Sequence, residues 1–411
     1  MSIRKRREIF HNGIILIILV LSLVVQSFTS VYTFALRSSD SYIVHPPIVI
    51  VGNQNFLTQA STENWLGDGT PASPYTIEGL NITSPLDTSL IDIRNTDVFF
   101  HIANCLLDGG AYGIKLDNVT NGQISGNVIN HNLGNGVQLD LGKATNISNI
   151  ISDNRGRGID VNFSDNSTIT GNTVGNNGEH GIRMDDSRGS TIAGNTFRNN
   201  GGIGIVIGTS GKSTIVNNTI ISNGADGISL EASEDSVITG NRVEDNRVGI
   251  RLSISDNSSI WGNVITINRI SGLALDNSDD STISGNNITF NRGYGIYLDD
   301  TDNTIVKWNY FISNNSTGAS QAFDDGTNNI FDNNYWDEWI RPDNDQDGVV
   351  DRAYPIDGLA SNQDGAPRAS PKAASREGIP SHIIPALIVL MGILSFLGIS
   401  VLIQGRKRSD R

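Results

Sequence analysis

The feature that most constrains this chain is a period. Gly113, Gly136, Gly158, Gly181, Gly204, Gly227, Gly249, Gly272, Gly295 and Gly318 recur every 22 or 23 residues, each opening a short segment such as GIKLD, GIRMD or GIYLD. Two asparagine registers keep step with it, one from Asn127 to Asn309 and one from Asn132 to Asn314. Self-similarity at this spacing marks a solenoid, in which each unit buries its apolar face only against its neighbours. Within a unit, apolar residues alternate over a few positions, turn residues intervene, and no helical spacing occurs. Ile and Val dominate, as pleated strands prefer. A leucine-rich repeat shares the period, but its LxxLxL core is missing. The expected fold class is therefore all-β, a single-stranded right-handed parallel β-helix of three-strand coils with 22–23 residues each. About 11–13 such coils would stack to roughly 55 to 60 Å. Asparagines aligned at the strand spacing of about 4.8 Å can donate and accept along the column, so they are expected to form structural ladders.

The ends of the chain read differently. Basic residues gather at Arg4, Lys5, Arg6 and Arg7 and again at Arg406, Lys407, Arg408 and Arg411, leaving a strongly acidic middle in a chain of formal charge −14. Such a surface repels phosphate, which excludes nucleic acid as the main partner. The apolar run Ile14 to Val25 follows the first basic cluster, and Thr33 and Ala35 supply small residues at a cleavage site. Residues 1–35 are thus expected to be a signal peptide, or a signal anchor if uncleaved. The uncharged run Ile383 to Ile403 is long enough for a C-terminal transmembrane helix over 383–403. Its basic tail, 404–411, would stay cytoplasmic and leave the body outside the cell. Between them lie an N-terminal cap with the first coils (48–110), the repeats (111–340), an Asp-rich C-terminal cap loop (341–365) and a Pro/Ala/Ser-rich stalk (366–382). Cys105 is the only cysteine, so no intrachain disulfide supports the body.

Three segments carry a family resemblance: the opening PIVIVGNQNFLTQ followed by GDGTPASPYTIEGLNI, the GIxLDxSxxSTIxGNxIxxN coils, and the closing NNYWDEWIRPDNDQDGVVDRAYPID. With these the chain resembles the NosD-type family of parallel β-helix repeat proteins, also described as carbohydrate-binding and sugar-hydrolysis proteins, over residues 48 to 368. The resemblance implies an exported β-helix whose ligand is a polysaccharide or surface glycan. It also brings a periplasmic copper-handling label. Copper is disfavoured by residue content, because outside the terminal runs His45, His101, His131, His180, Met184 and Cys105 form no close pair and soft-metal sites need clusters.

Candidate chemistry falls into three groups. Asp343, Asp345, Asp347 and Asp351 alternate around Gly348 in a pattern suited to structural Ca²⁺. If the protein is an enzyme, a polysaccharide lyase or glycoside hydrolase, its carboxylates are sought at Asp185, Asp186, Asp276 and Asp299 with Arg183 and Arg251 beside them. Acids on adjacent coils would stand about 4.8 Å apart, near the separation of a retaining pair, and acids two coils apart about 9.6 Å, near an inverting one. Turn formation explains the same residues without catalysis. For sugar contact the candidates are the stripe Arg247, Arg269 and Arg292 together with Trp261 and Tyr297. The reading favoured at this point is non-catalytic carbohydrate binding on a membrane-anchored extracellular body, with a structural or adhesion spacer as a further alternative.

Overall fold

The computed structural model describes residues 42–84, 87–143, 145–315 and 320–371. The expected signal peptide, transmembrane helix, basic tail and most of the stalk lie outside these residues. Among the described residues, no helix is long and apolar enough to cross a membrane.

The body is a parallel β-helix. One face, sheet 1, contains twelve parallel strands from Ile48–Val51 to Ala322–Asp324, each paired in register with its equivalent one coil away. The other two faces together form a 25-stranded sheet. They are joined because Gly122–Asn130 runs unbroken through a corner, pairing with both Phe100–Ala103 and Leu106–Asp108. Each central coil thus contributes three short strands, as the alternation predicts. The interior is a column of Ile, Val and Leu such as Ile207, Ile215 and Ile220, all fully buried. Fully burying one such side chain is worth about 1.5–3 kcal/mol.

Glycine precedes nine of the twelve sheet 1 strands, from Gly113 before Ile114 to Gly295 before Ile296, for want of space. A Cβ at Gly249 would meet the Gly272 carbonyl oxygen of the next coil at 2.5 Å and the Ile265 side chain at 2.4 Å. The last coil departs from the pattern. Gly318 lies outside the described residues, and the residue preceding the strand Ala322–Asp324 is Gln321, which accepts from the Gly295 N–H.

Both asparagine columns are ladders. Asn195 is representative: its backbone N–H and its Nδ2 both donate to Asn218 Oδ1 at 2.9 Å, and Nδ2 also donates to the Ile169 carbonyl at 2.9 Å. Every rung satisfies buried backbone that the corner leaves unpaired. A ladder built this way has a direction, and its last rung needs only to accept. The first column passes from Asn309 to Asn334 and ends on Asp364, whose Oδ2 accepts from Asn334 N–H, Asn334 Nδ2 and Trp336 Nε1. The second ends on Gln321, whose Oε1 accepts from Asn314 and whose Nε2 donates to Asp337 Oδ1. A third ladder, of hydroxyls, runs through Ser164, Ser187, Ser210, Ser233, Ser255 and Ser278 to Thr301.

The two ends are closed by different means. At the N-terminal end a helix, α1 (Gly52–Glu63), buries Phe56 and Ala60, with Phe56 stacked on Tyr75 at 5.2 Å. The strand-period reading does not anticipate it. At the C-terminal end Phe311, Trp336 and Tyr354 stack in series at 4.3 and 4.1 Å, extending the core outward as an aromatic plug.

Candidate functional site

Along sheet 1 the second and fourth residues of each strand face outward, and the in-register pairing sets them in two rows. The second-residue row reads Asp92, Lys115, Gln138, Asp160, Arg183, Val206, Ser229, Arg251, Ala274, Tyr297 and Phe323. The fourth-residue row includes Asp117, Asp140, Asn162, Asp185, Gly208, Glu231, Ser253, Asp276 and Asp299.

In the N-terminal half most polar members of these rows are paired with protein groups. Arg94 pairs with Asp92, Arg157 with Asp160 at 3.0 Å, and Arg183 with Asp185. Gln138 receives a hydrogen bond from Asn135 and donates one to Asp140, which also accepts from Asn162. Asp186 accepts from the Thr209 hydroxyl at 2.7 Å. The candidate acids Asp185 and Asp186 are therefore engaged with the protein, together with Arg183.

Four coils on, the pattern breaks into a cavity of about 380 Å³ lined by Val248, Arg251, Ile270, Ser271, Ala274, Leu275, Asp276, Gly293, Tyr294, Tyr297 and Asp299. Its size lies in the range of small-molecule sites, about 300–1,000 Å³. Arg251 is fixed from behind. Asp226, whose side chain is 1% exposed, accepts from Arg251 Nε at 3.1 Å, from Arg247 Nε at 2.9 Å and from the Val248 N–H at 3.0 Å. Arg251 uses only Nε in this contact, and among the described residues its two Nη donors have no other protein acceptor. On the opposite wall, Tyr297 stacks on Phe323 at 4.5 Å with 9° between planes, and Tyr294 leans against both.

The carboxylates differ from those of the N-terminal half. Among the described residues, the Asp276 carboxylate accepts only from the neighbouring Asn277 amide, at 3.1 Å. Burial, then the charges of Asp276, Asp300 and Asp325, hold the Asp299 carboxyl above its ordinary value. Burial and nearby acids also raise the Tyr294 and Tyr297 phenols, so both rings keep their hydroxyl protons at neutral pH. Aromatic faces, one guanidinium and two lightly engaged carboxylates equip this cavity to bind a polyhydroxylated ring.

The structure thus gathers Arg251, Asp276, Asp299 and Tyr297, with Arg247 behind them, and separates them from Arg183, Asp185 and Asp186. The arginine stripe does not act as one: Arg247 is tied to Asp226, while Arg269 folds back to donate to the Asn223 carbonyl at 2.8 Å. Arg292 follows the next coil's turn. Trp261 faces outward from a different sheet, between Thr239 and Ser284. Sequence reasoning missed Asp226, Ala274 and Phe323. Asp226 was legible as one of the residues just before each Gly, where Asn135 and His180 similarly accept the next coil's N–H.

In the C-terminal loop, ligand atoms of Asp343, Asp345 and Asp347 lie within 4.8 Å of one another. Asp351 instead accepts from the Asn344 N–H at 2.7 Å, bracing the loop. Asp343 Oδ1 is buried without a hydrogen-bond partner. The histidines are dispersed: His101 bonds Ser125, His131 bonds Asp108, and His180 accepts from the Ile203 N–H. Cys105 and Met184 are buried in the core.

A sequence-family model described as "right handed beta helix region" matches residues 89–236 and 191–335. No curated protein matches the sequence. Among solved structures, ORF18 of Geobacillus virus E2 aligns with a TM-score of 0.50 at 12% identity, over 72% of this chain and 63% of that one. The periplasmic alginate epimerase AlgG aligns with a TM-score of 0.42 at 17% identity, over 66% and 85%. The Dettilon tailspike protein gives 0.43 at 16%, over 71% and 63%. Likenesses at such identities concern the fold alone.

Proposed function

The chain belongs to the right-handed β-helix family, and from that premise we propose that it is a carbohydrate-binding protein whose ligand site is the cavity between Arg251 and Tyr297. One observation carries the reading: sheet 1 pairs most of its outward polar groups through the N-terminal half, then presents aromatic faces and available hydrogen-bonding groups together in a concave site. Sugars need this combination, because a pyranose offers an apolar face for stacking and a rim of hydroxyls for polar groups. The proposal includes export and anchoring through Ile383 to Ile403, which would hold the site outside the cell on its stalk. The finer NosD-type kinship is part of the same proposal, supported by the opening and closing segments. Its copper label is left aside, since His101, His131 and His180 are engaged with separate partners, Cys105 and Met184 are buried in the core, and soft-metal sites need converging donors.

A second element of the proposal is a calcium-braced C-terminal cap. Three converging carboxylates and the orphaned Asp343 Oδ1 fit a hard cation that takes oxygen ligands. Asp343, Asp345 and Asp347 would hold it, and its role would be structural. Thermal melting of the full chain in calcium and in chelator should separate the two curves, with the shift abolished in Asp345→Asn. Superimposable curves would remove calcium from the account.

The functional test is retention of a panel of neutral, amino and acidic polysaccharides on the detergent-solubilised full chain, with mass spectrometry of the recovered sugar. Retention of intact chains is expected. Shortened chains would instead make this an enzyme: a lyase if their new ends are unsaturated, and otherwise a hydrolase with Asp276 and Asp299 on adjacent coils at the spacing of a retaining pair, about 5 Å. Retention of no polysaccharide would leave a spacer.

A further inference from the structure

Resting on the carbohydrate reading, we propose that the cavity takes a single sugar ring edge-first, as the absent member of the side-chain row Arg251, Ala274, Tyr297, Phe323. We further propose that this ring is neutral or an amino sugar rather than a uronate. Tyr297 and Phe323 are nearly parallel with centroids 4.5 Å apart, close to the coil step of about 4.8 Å. Their ring normals therefore run along the solenoid axis. One coil before Tyr297 the same row holds Ala274, and one coil before that, Arg251. Arg251 and Tyr297 stand two steps apart, about 9.6 Å, and the methyl of Ala274 is the floor between them.

A ring stacked on the free face of Tyr297, at the usual carbon contact of about 3.5–4.0 Å, continues the aromatic row and stays within reach of the Arg251 Nη groups. One side is closed by the turn residues Ile270, Ser271, Gly293 and Tyr294. The remaining edge leaves over Asp276 and Asp299, so the glycosidic link emerges there and the bound unit is a chain terminus or branch. A polysaccharide lying along the axis would present its rings in another orientation.

Charge selects the ring. Asp226 already offsets one of the two arginines, while Asp276 and Asp299 line the cavity with Asp300 and Asp325 nearby. A ring carboxylate would add to this repulsion, whereas hydroxyls or an ammonium donate to the two acceptors.

Ala274→Phe tests the slot directly, because it places a third aromatic ring in the Tyr297–Phe323 stack and fills the space. Binding of the methyl glycosides of glucose, galactose, N-acetylglucosamine, glucosamine and glucuronic acid, and of their oligosaccharides, is measured by saturation-transfer NMR and titration on the full chain. At least one neutral or amino methyl glycoside should bind within about threefold of its hexasaccharide, the glucuronide about tenfold or more weaker, and Ala274→Phe should lower affinity about 100-fold with an unchanged melting temperature. Should Ala274→Phe not fold, Ala274→Val fills the slot with a side chain the row already accepts at Val206, and it should lower affinity in the same direction. Affinity that climbs tenfold or more with chain length and ignores both substitutions would overturn the slot while leaving carbohydrate binding intact. Preference for the glucuronide would overturn the charge assignment, and a wild-type protein that binds no glycan would overturn the underlying reading instead.

Discussion

The two halves of the outer face of sheet 1 share one backbone and differ in what their side chains do with one another. From Asp92 to Asp185 most outward charges and amides find a hydrogen-bonding or ionic partner in their own or an adjacent coil, Lys115 lies over the Tyr112 ring, and Asp117 is the exception among the described residues. From Arg251 to Asp299 the backbone register is unchanged, yet Ala274 leaves a gap, Asp299 has like charges for neighbours, and Arg251 is held by only one edge. In a solenoid, stability is nearly a sum over coils and their interfaces. Each coil can therefore be spent on stability or on a ligand without altering the rest, and the contrast between the halves locates the second kind.

The strongest way to break this comparison uses two buried acids. Asp160 and Asp226 are 4% and 1% exposed and each holds arginine, Asp160 through Arg157 and Asp226 through Arg247 and Arg251. Each substitution removes hydrogen bonds to a charged group, worth about 1.5–3 kcal/mol apiece, and leaves arginines that are partly exposed, so Asp160→Ala and Asp226→Ala should both lower the urea midpoint. Only Asp226→Ala should also weaken glycan binding, because it alone frees Arg251. Equal loss of binding in both variants would erase the distinction between the halves.

Smaller in stability but sharper in meaning is the arginine pair. A hydrogen bond to a charged group is worth about 1.5–3 kcal/mol, so Arg251→Gln should weaken binding about 10- to 100-fold in titration. Arg183→Gln, three coils toward the N-terminus, should leave binding unchanged. Binding that depends on Arg183 would move the site to the self-paired half.

Much of this was legible in the sequence, for a physical reason. In-register stacking makes every column a repeated solution to one local problem, so Gly249 and its equivalents or Asn195 and its equivalents announce their role by recurrence. What recurrence cannot announce is the residue that ends a column. Asp364 and Gln321 terminate the asparagine ladders as different residue types, and α1 occurs once, with only Phe56 and Ala60 buried to mark its inward face. The site was half legible for the same reason. Arg251, Asp276, Asp299 and Tyr297 stood out as chemistry, but so did Arg183, Asp185 and Asp186, which the period treats as equivalent. Partners in the turns decide between them. The most informative residue, Ala274, is informative by what it lacks, and alanine carries no signal until its row neighbours are known.

The smallest expected effect is also the one in which the two halves should disagree in sign. Asp140 accepts from Gln138 Nε2 at 2.7 Å and from Asn162 Nδ2 at 2.9 Å, so Asp140→Asn replaces a charged acceptor with a weaker one and should destabilise. Asp299 faces Asp276, Asp300 and Asp325 instead, and its carboxyl is raised by burial and by them. A raised folded value means that the folded chain keeps this proton to higher pH than the unfolded chain does. The associated stability is complete below the ordinary value of 3.8 and is lost as pH rises through the raised one. At pH 7 Asp299→Asn removes the repulsion and should stabilise by about 0.2–1 kcal/mol, the scale of neighbouring charge pairs in a sheet. Below pH 3.8 that advantage should vanish. Urea melts of the two variants at pH 7 and pH 3.5 read both signs, and destabilisation by Asp299→Asn at pH 7 would mean that this carboxylate, like Asp140, serves the fold rather than the ligand.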